Sequence, residues 1–443
     1  MISPAHETKT VAQHGVLVPV GEGVVTAYSS QVLPWCEVDP TGDLVVSGPV
    51  HGRVFLSTGP YDDLGIMAWL LSPRASHVER GLSNLARLVG IILPRHDHLD
   101  VGDDVGSIGP TLISTCMRIH EVLKQHLIHE GLDAVYETIE RPLALVLRRM
   151  EAVGIPVIPG TANLGPEKPE TQHQWAGWPT RFVTAATKRV HPTWDQTATV
   201  TGRVTARQPP LQSLPKSQRD TVVAPAGHVL VAADYSAADF RPAAGMSHDA
   251  ELLRLFGQGQ DPYRQIGAMA GTAAQGRERQ VGKATALPAL YGASPWSLQD
   301  ETQLSVAAVE QMITAYKAKF PILWTWRSEQ IARMRAGMAI HNPWGRLLLP
   351  KTDFEVINHL CQSAVADVVK TAMLRLQKTI PHGAVIVAQI HDELLIECME
   401  QDADSVVTIM RDQMTGPIPQ LPVTLAVKIG VGKTWAEATR TQR

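Results

Sequence analysis

Cysteine, aromatic residues and net charge are all scarce in this chain. The four cysteines, Cys36, Cys116, Cys361 and Cys398, lie far apart and form no C-x-x-C pair. That excludes a disulfide framework, argues against a zinc site and fits reduced thiols. A net charge of −3 over 443 residues excludes a histone-like or coating protein. It leaves room for an enzyme that gathers its cations in one cleft. No apolar run reaches the roughly 18–20 residues needed to cross a bilayer. The opening MISPAHETKTVAQHG lacks the charged start and apolar core of a secretory leader. A cytoplasmic protein with no membrane partner is expected. At 44% hydrophobic and 19% charged the chain is ordinarily globular, and its length predicts two to four domains.

Residues 1–60 alternate short apolar runs with Gly and Pro, a strand-rich pattern. Helical spacing follows from DDLGIMAWLL to LARLVGIIL. The stretch PRHDHLDVGDDVGSIGP (94–110) then reads as a loop. Residues 111–153 read as two helices, stopped by Gly154 and Pro156. Between 159 and 195 the composition turns to Pro, Gly, Thr, Gln and Trp, a linker-like piece that packs on its neighbours through tryptophan. There are no internal repeats. The chemistry is concentrated after about residue 196.

Three stretches stand out. In HVLVAADYSAADFR (228–241) an apolar strand delivers Asp234 at its end, and Ser236 then starts a helix. A carboxylate fixed at a strand terminus is well placed for a metal, although a simple turn Asp is the plainer alternative. Asp239 has its own plain alternative, as part of a capping box begun by Ser236. In AVIVAQIHDELLIEC (384–398) two apolar runs flank His391, Asp392 and Glu393, as in a tight hairpin presenting three polar groups. Hairpin turns ordinarily use Gly or Asn, and adjacent carboxylates repel unless cations compensate. In RQVGKATALPALYG, Arg279, Lys283, Leu287 and Tyr291 recur every four residues on one helix face. Pro288 interrupts that helix at a cost of about 3 kcal/mol if it is interior, so a kink is expected there. Such a row is either a solvated face or a set of groups aimed at a polyphosphate.

Together these stretches resemble the family A, bacterial DNA polymerase I-like, DNA polymerases. The family's D-Y-S-x-x-E-x-R appears as Asp234-Tyr235-Ser236-Ala237-Ala238-Asp239-Phe240-Arg241. Its R-x-x-x-K-x-x-x-F-x-x-x-Y-G appears as Arg279, Lys283, Leu287, Tyr291 and Gly292, and its Q-V-H-D-E as Gln389 to Glu393. Its T-G-R and P-N-L-Q-x-I-P are matched by Thr201-Gly202-Arg203 and by Pro210 to Pro215. Asn358, Gln362, Ala366 and Asp367 match N-x-x-x-Q-x-x-A-A-D loosely. The resemblance covers residues 136–443.

It implies an α+β right-hand polymerase with an antiparallel-sheet palm, helical fingers and a vestigial thumb, behind an N-terminal α/β exonuclease-like domain. The implied division is 1–135 degenerate 3′–5′ exonuclease-like domain, 136–195 reduced thumb and linker, 196–262 first part of the palm, 263–340 fingers, and 341–443 second part of the palm. The implied activity is primer-dependent, template-directed addition of dNTPs. Asp234 and Asp392, with the Tyr235 carbonyl, would hold two Mg²⁺ ions, for which Mn²⁺ can substitute. Lys283 and Arg279 would take the triphosphate, with Lys283 also the acid for pyrophosphate. Tyr291 would face the templating pair, Leu287 and Asp239 the nucleotide. Arg203 and Gln362 would check the minor groove and His391 the primer terminus. Glu393 and Tyr263 are accessory.

The sequence also departs from the family. Leu287 replaces an aromatic residue, so stacking on the incoming nucleotide is not expected. Pro288 replaces Gly, Tyr263 replaces His, and Asp239 is one methylene shorter than the family's Glu. The interval that holds the thumb is about 45 residues, which predicts low processivity unless a partner protein intervenes. No D-x-E or Y-x-x-x-D occurs in the N-terminal region, and no 5′-nuclease domain precedes it, so proofreading is not expected. A monomer working on primer–template DNA is the leading expectation. A single-subunit RNA polymerase and a non-catalytic primer–template binding factor are the competing readings. D-Y-S with H-D-E disfavours the first, and the retained Asp234, Asp392, Lys283 and Arg279 disfavour the second.

Overall fold

Apolar runs cut by glycine and proline form the strands of the N-terminal half. A computed structural model describes backbone at residues 14–20, 23–26, 29–34 and 43–46, and residues 61–75, 85, 87, 105–158 and 177–442. The chain divides into two compact units. One contains Met1–Gly154, His191–Thr197 and Thr205–Pro210; the other contains Ile155–Val190, Ala198–Val204 and Leu211–Arg443.

The first unit is built on a mixed sheet of strands β1 (His14–Val20), β2 (Gly23–Thr26), β3 (Ser29–Pro34), β4 (Asp43–Val46) and β5 (Tyr61–Asp63). Their order is β3-β2-β1-β4-β5, with β1, β4 and β5 parallel. Asp63 closes β5 and caps helix α1 (Leu64–Leu71), accepting from the Gly65 and Ile66 amides at 2.8 and 3.1 Å. Its neighbour Asp62 is met by His120, Tyr136 and Arg141 at 2.9, 2.8 and 3.0 Å. Burial opposes the Asp62 charge, yet these three partners hold the carboxyl below its ordinary range.

The loop expected at 94–110 is partly a helix. Helix α2 (Val105–His129) begins inside it, where Val105, Ile108 and Leu112 already carry helical spacing; residues 94–104 lie outside the described ones. Tyr136–Glu140 is one π-helical turn leading into α3 (Arg141–Val153), which Gly154 ends at φ 71° as its position implies. Of the linker-like stretch, 159–176 lies outside the described residues. Trp178 and Trp194 are buried.

The second unit centres on a four-stranded antiparallel sheet of β6 (His228–Tyr235), β7 (Val385–Ile390), β8 (Glu393–Met399) and β9 (Val427–Gly432), ordered β7-β8-β6-β9. The inner strands are buried on both faces, which explains their near-continuous apolar runs. Helices α4 (Phe240–Ser247), α5 (Pro262–Ala268), α6 (Glu278–Tyr291), α7 (Pro321–Arg335) and α8 (Asp353–Thr379) contribute to a core that includes Phe240, Tyr263, Tyr291, Phe320 and Cys361. The last helix, α9 (Trp435–Arg440), returns to the sheet.

Two glycines set the closest helix pair. A methyl group on Gly267 of α5 would overlap the Glu278 carbonyl oxygen, and one on Gly282 of α6 would overlap that of Tyr263. The two backbones therefore touch directly, which fixes α6 against the rest of the unit.

Candidate active site

Asp234 and Asp392 are placed by strand geometry. Asp234 is the penultimate residue of β6 and pairs with Glu393 on one side and Lys428 on the other. His391 and Asp392 form a two-residue turn between β7 and β8. His391 takes a left-handed φ of 57°, a conformation that costs a non-glycine residue about 1–2 kcal/mol. The Gln389 side chain bonds its carbonyl at 2.5 Å, and Tyr235 donates its amide to the Asp392 carbonyl at 3.3 Å. The strand end and the turn are thus tied together. Burial first, and then the charge of Glu393, raises Asp234 to about 6; burial first, and then the charge of Asp234, raises Asp392 to about 7. The structure presents two under-compensated carboxylates at one point.

Three expectations about this region need correction. Glu393 is not in the turn; it is the first residue of β8, buried, and bonded by Arg219 at 2.9 Å and the Trp435 indole at 3.0 Å. Ser236 does not start a helix, since residues 236–239 form turns and α4 begins at Phe240. Asp239 stands at the N-cap position of α4 but bonds none of its amides. Its carboxylate accepts from Arg203 at 3.2 Å instead, so the capping box does not form. The distant guanidinium wins because it is charged and the helix amides are not. Burial nonetheless raises the Asp239 carboxyl, against the pull of Arg203 and His391.

The Tyr235 ring points away from the site, its hydroxyl donating to the Met414 carbonyl at 2.9 Å, so only its backbone can serve there. Arg241 brackets the same turn from below. It donates to the Ser236 carbonyl at 2.7 Å and to that of Thr424, and lies 4.4 Å over the Phe256 ring. Burial brings the Arg241 guanidinium down to about 10.

The four-residue row on α6 runs from solvent into the core. Arg279 and Lys283 are exposed, Leu287 is half-buried against the core, and Tyr291 is buried. α6 continues through Pro288, which stands inside its last turn and gives up one backbone bond there, and Gly292 follows at φ 118°. Arg279 pairs with Asp261, the N-cap of α5, at 2.7 Å. Lys283 has no ion-pair partner among the described residues. An open cavity of about 750 Å³ is lined by Arg264, Arg277, Arg279 and Lys283 against Glu278 and Glu301, four cations to two anions. Sequence reading missed Arg264 and Arg277, which lie outside the repeated motif.

Tyr263 sits between the two halves of the site. It stacks on Phe240 at 5.4 Å, and burial followed by Asp239 and Asp261 drives its phenol up, with Arg279 opposing. Tyr291 meets the Phe354 ring edge-on at 5.8 Å and hydrogen-bonds Cys361. Gln362 is half-buried on α8. Another residue that sequence reading missed is Arg346, which is buried with Asp367. Its two bonds to that carboxylate are 3.0 and 2.5 Å, and it packs beneath Gly202 of the T-G-R turn.

The model of DNA polymerase family A matches residues 177–437, more than half of the chain. This chain belongs to DNA polymerase family A. It is 31% identical over 281 residues to the thermostable DNA polymerase I of Thermus filiformis, covering 58% of this chain and 34% of that protein. It is 29% identical over 280 residues to DNA polymerase I of Mycobacterium bovis, covering 57% and 31%. The chain thus matches about a third of the length of these relatives. The polymerase domain of Mycobacterium smegmatis Pol1, solved with DNA primer–template and dNTP, superposes with a TM-score of 0.72 at 20% identity, over 85% of this chain and 82% of that one. That likeness establishes a family A polymerase fold of mixed helices and antiparallel sheet.

Polymerases of this family use divalent metal ions, and the donor set of this chain fits them. Asp234, Asp392 and the Tyr235 carbonyl offer hard oxygen, and a cation would offset the burial and neighbouring negative charge that raise both carboxyls. Among the described residues no three His, Cys, Asp or Glu side chains converge on one point. The remaining ligands of an ion must be backbone, water or substrate oxygens. No helix among the described residues is long and apolar enough to cross a membrane.

Proposed function

We propose that this chain is a primer-dependent, DNA-templated DNA polymerase. The reading rests above all on one observation: the β6 end and the β7–β8 turn bring Asp234 and Asp392 together in the unit that carries the cationic face of α6. In the reaction the primer 3′-oxygen bonds to the α-phosphorus of a dNTP, the bond to the β-phosphate bridge breaks, and pyrophosphate leaves. Charge builds on phosphate oxygens, so positioning and electrostatics supply most of the rate. Bound by Asp234, Asp392 and the Tyr235 carbonyl, two Mg²⁺ ions would supply Lewis-acid stabilisation of that charge and a more acidic 3′-hydroxyl.

Lys283 and Arg279, one turn apart, reach different phosphates, and Lys283 gives its proton to the departing pyrophosphate. Arg264 and Arg277 extend the same field. Tyr291 ends the row at the templating pair, while Leu287 contributes packing without a stacking face. Asp239 and Tyr263 line the sugar side, with Asp239 tethered by Arg203. Arg203 and Gln362 read the minor groove, and His391 meets the primer terminus. The sheet and its helices serve as palm, α5 to α7 as fingers, and a short segment near 136–195 as the thumb. A small thumb and an N-terminal unit without the nuclease motifs give distributive, non-proofreading synthesis by a monomer, unless a partner protein tethers it.

Primer extension with dNTPs and Mg²⁺ tests the reading, with rNTPs as the control against RNA synthesis. Template-dependent extension lost in Asp234→Ala and Asp392→Ala, both still folded, is the expected result. Near wild-type extension by either variant would refute the assignment.

A further inference from the structure

Glu393 and Asp234 are direct partners across the β6–β8 ladder, so their side chains leave the same face of the sheet. Opposed like charges destabilise such a pair, and Cβ atoms there lie about 5 Å apart. The structure eases the conflict by giving the Glu393 carboxylate partners of its own, although its charge still raises Asp234. One of its carboxylate oxygens accepts from Arg219 at 2.9 Å and the other from the Trp435 indole at 3.0 Å; the Thr439 hydroxyl lies 3.4 Å from the second oxygen, with the Trp435 carbonyl as its nearer acceptor at 2.9 Å. Arg219 also donates to Thr439 at 3.2 Å and lies 4.1 Å over the Trp435 ring. Lys216 and Lys428 are the other cations whose charge reaches Asp234.

The helix that carries Trp435 and Thr439 is itself fixed. Thr434 and Glu437 form a complete capping box at its start. Gly430 and Gly432 of β9 leave no room for a Cβ against the Ala438 backbone and Glu437, so α9 lies flush on the sheet. In this arrangement the Glu393 carboxylate is held by Arg219 and the Trp435 indole.

We infer that Arg219, Trp435 and Thr439 form a clamp that withdraws Glu393 from the metal-binding pair, making the C-terminal helix a positioning element of the catalytic hairpin. The inference rests on the proposed role of Asp234 and Asp392. Glu393 neighbours Asp392 in sequence and Asp234 across the ladder. Holding its carboxylate still therefore keeps the first two residues of β8, and with them the turn, in register.

The test is Mn²⁺ binding to the whole protein, followed by electron paramagnetic resonance, beside the Mg²⁺ dependence of primer extension. Trp435→Phe keeps an aromatic ring beneath Arg219 but removes the indole donor together with part of its buried ring, and Thr439→Val removes the weaker hydroxyl contact. Each should weaken Mn²⁺ binding and raise the half-saturating Mg²⁺ concentration, by up to about 10-fold, as loss of outer support does at metal sites. Extension at saturating Mg²⁺ should stay within about two-fold, in line with an effect on metal affinity alone. Unchanged Mn²⁺ binding with only a lower melting temperature would show the clamp to be structural and overturn the inference. So would complete loss of Mn²⁺ binding in Glu393→Gln, matching Asp392→Asn, because Glu393 would then be a ligand. Failure of the wild type to extend primers would sink the proposed function, while the Mn²⁺ titration still decides the clamp.

Discussion

Removing one charge from the carboxylate pair should make the protein more stable and inactive. Asp392 stands near 7 and Asp234 near 6, both above the ordinary 3.8 because of burial and repulsion. The folded state therefore holds protons between about pH 4 and 7 that the unfolded chain has released. Stability falls as pH rises through that window, and the full penalty is present above about pH 7. For Asp392 alone, three pKa units would correspond to about 4 kcal/mol. Part of that shift is repulsion shared with Asp234 and relieved only once, so Asp392→Asn should gain on the order of 2 kcal/mol at pH 8. That corresponds to a rise of about 4–8 °C in melting temperature for a unit of this size.

The assay is urea and thermal unfolding in EDTA at pH 8, 6 and 4.5. The advantage of Asp392→Asn should be largest at pH 8 and shrink steadily on acidification, as wild-type Asp392 takes up its proton. Added Mg²⁺ should stabilise the wild type more than the variant, because the cation then offsets the charge that the variant lacks. No gain at pH 8, or a gain that grows toward pH 4.5, would refute the electrostatic account of the pair.

Gly282→Ala must push α6 off the Tyr263 carbonyl; it should cost about 2 kcal/mol or more, seen in urea unfolding, and weaken dNTP binding. Lys283→Ala should leave unfolding unchanged and slow single-turnover insertion by about 100-fold or more, whereas an effect confined to the KM for dNTP would make Lys283 a binding group only. Asp239→Glu restores a methylene on the sugar side but must also rearrange the Arg203 contact; the rNTP-to-dNTP ratio in single-nucleotide insertion should fall, and an unchanged ratio would leave Asp239 as an ion-pair partner alone. With a trap present, extension should stop after a few nucleotides and decline steeply with salt, as a small phosphate footprint requires; long products would overturn the small-thumb reading.

How much of this was legible in the sequence depended on whether a feature is local. The helical row from Arg279 to Tyr291 and the strand that delivers Asp234 are periodic patterns in one segment, and both elements formed where the pattern put them. The capping box offered as the plain alternative for Asp239 is also a local pattern, whereas its actual partner Arg203 is 36 residues away in a turn of its own. The crossing of α5 and α6 left only a faint mark, two glycines inside helices that helix propensity alone would not choose. Arg346 left none, since a single Arg beside a Trp-Gly pair announces no buried partner, and Asp367 is known as that partner only from α8.

Glu393 is the instructive case, because the sequence held half of the answer in the length of the hairpin turn. If the hairpin turn is three residues, Glu393 joins Asp392 at the tip as a third candidate ligand. If it is two, Glu393 pairs with Ile390, and in the structure the neighbouring strand β6 sets Asp234 opposite it. Two-residue turns are the commoner hairpin connection, although the positive φ they need is usually met by Gly or Asn rather than by His391. The same residue that made a tight turn hard to credit thus concealed the count. The β6–β8 register, which no local pattern announces, then places Glu393 on the face of Asp234, where a second buried carboxylate requires a cation of its own. Arg219 is that cation, and Trp435 and Thr439 complete the acceptor's shell from a helix 42 residues further along the chain.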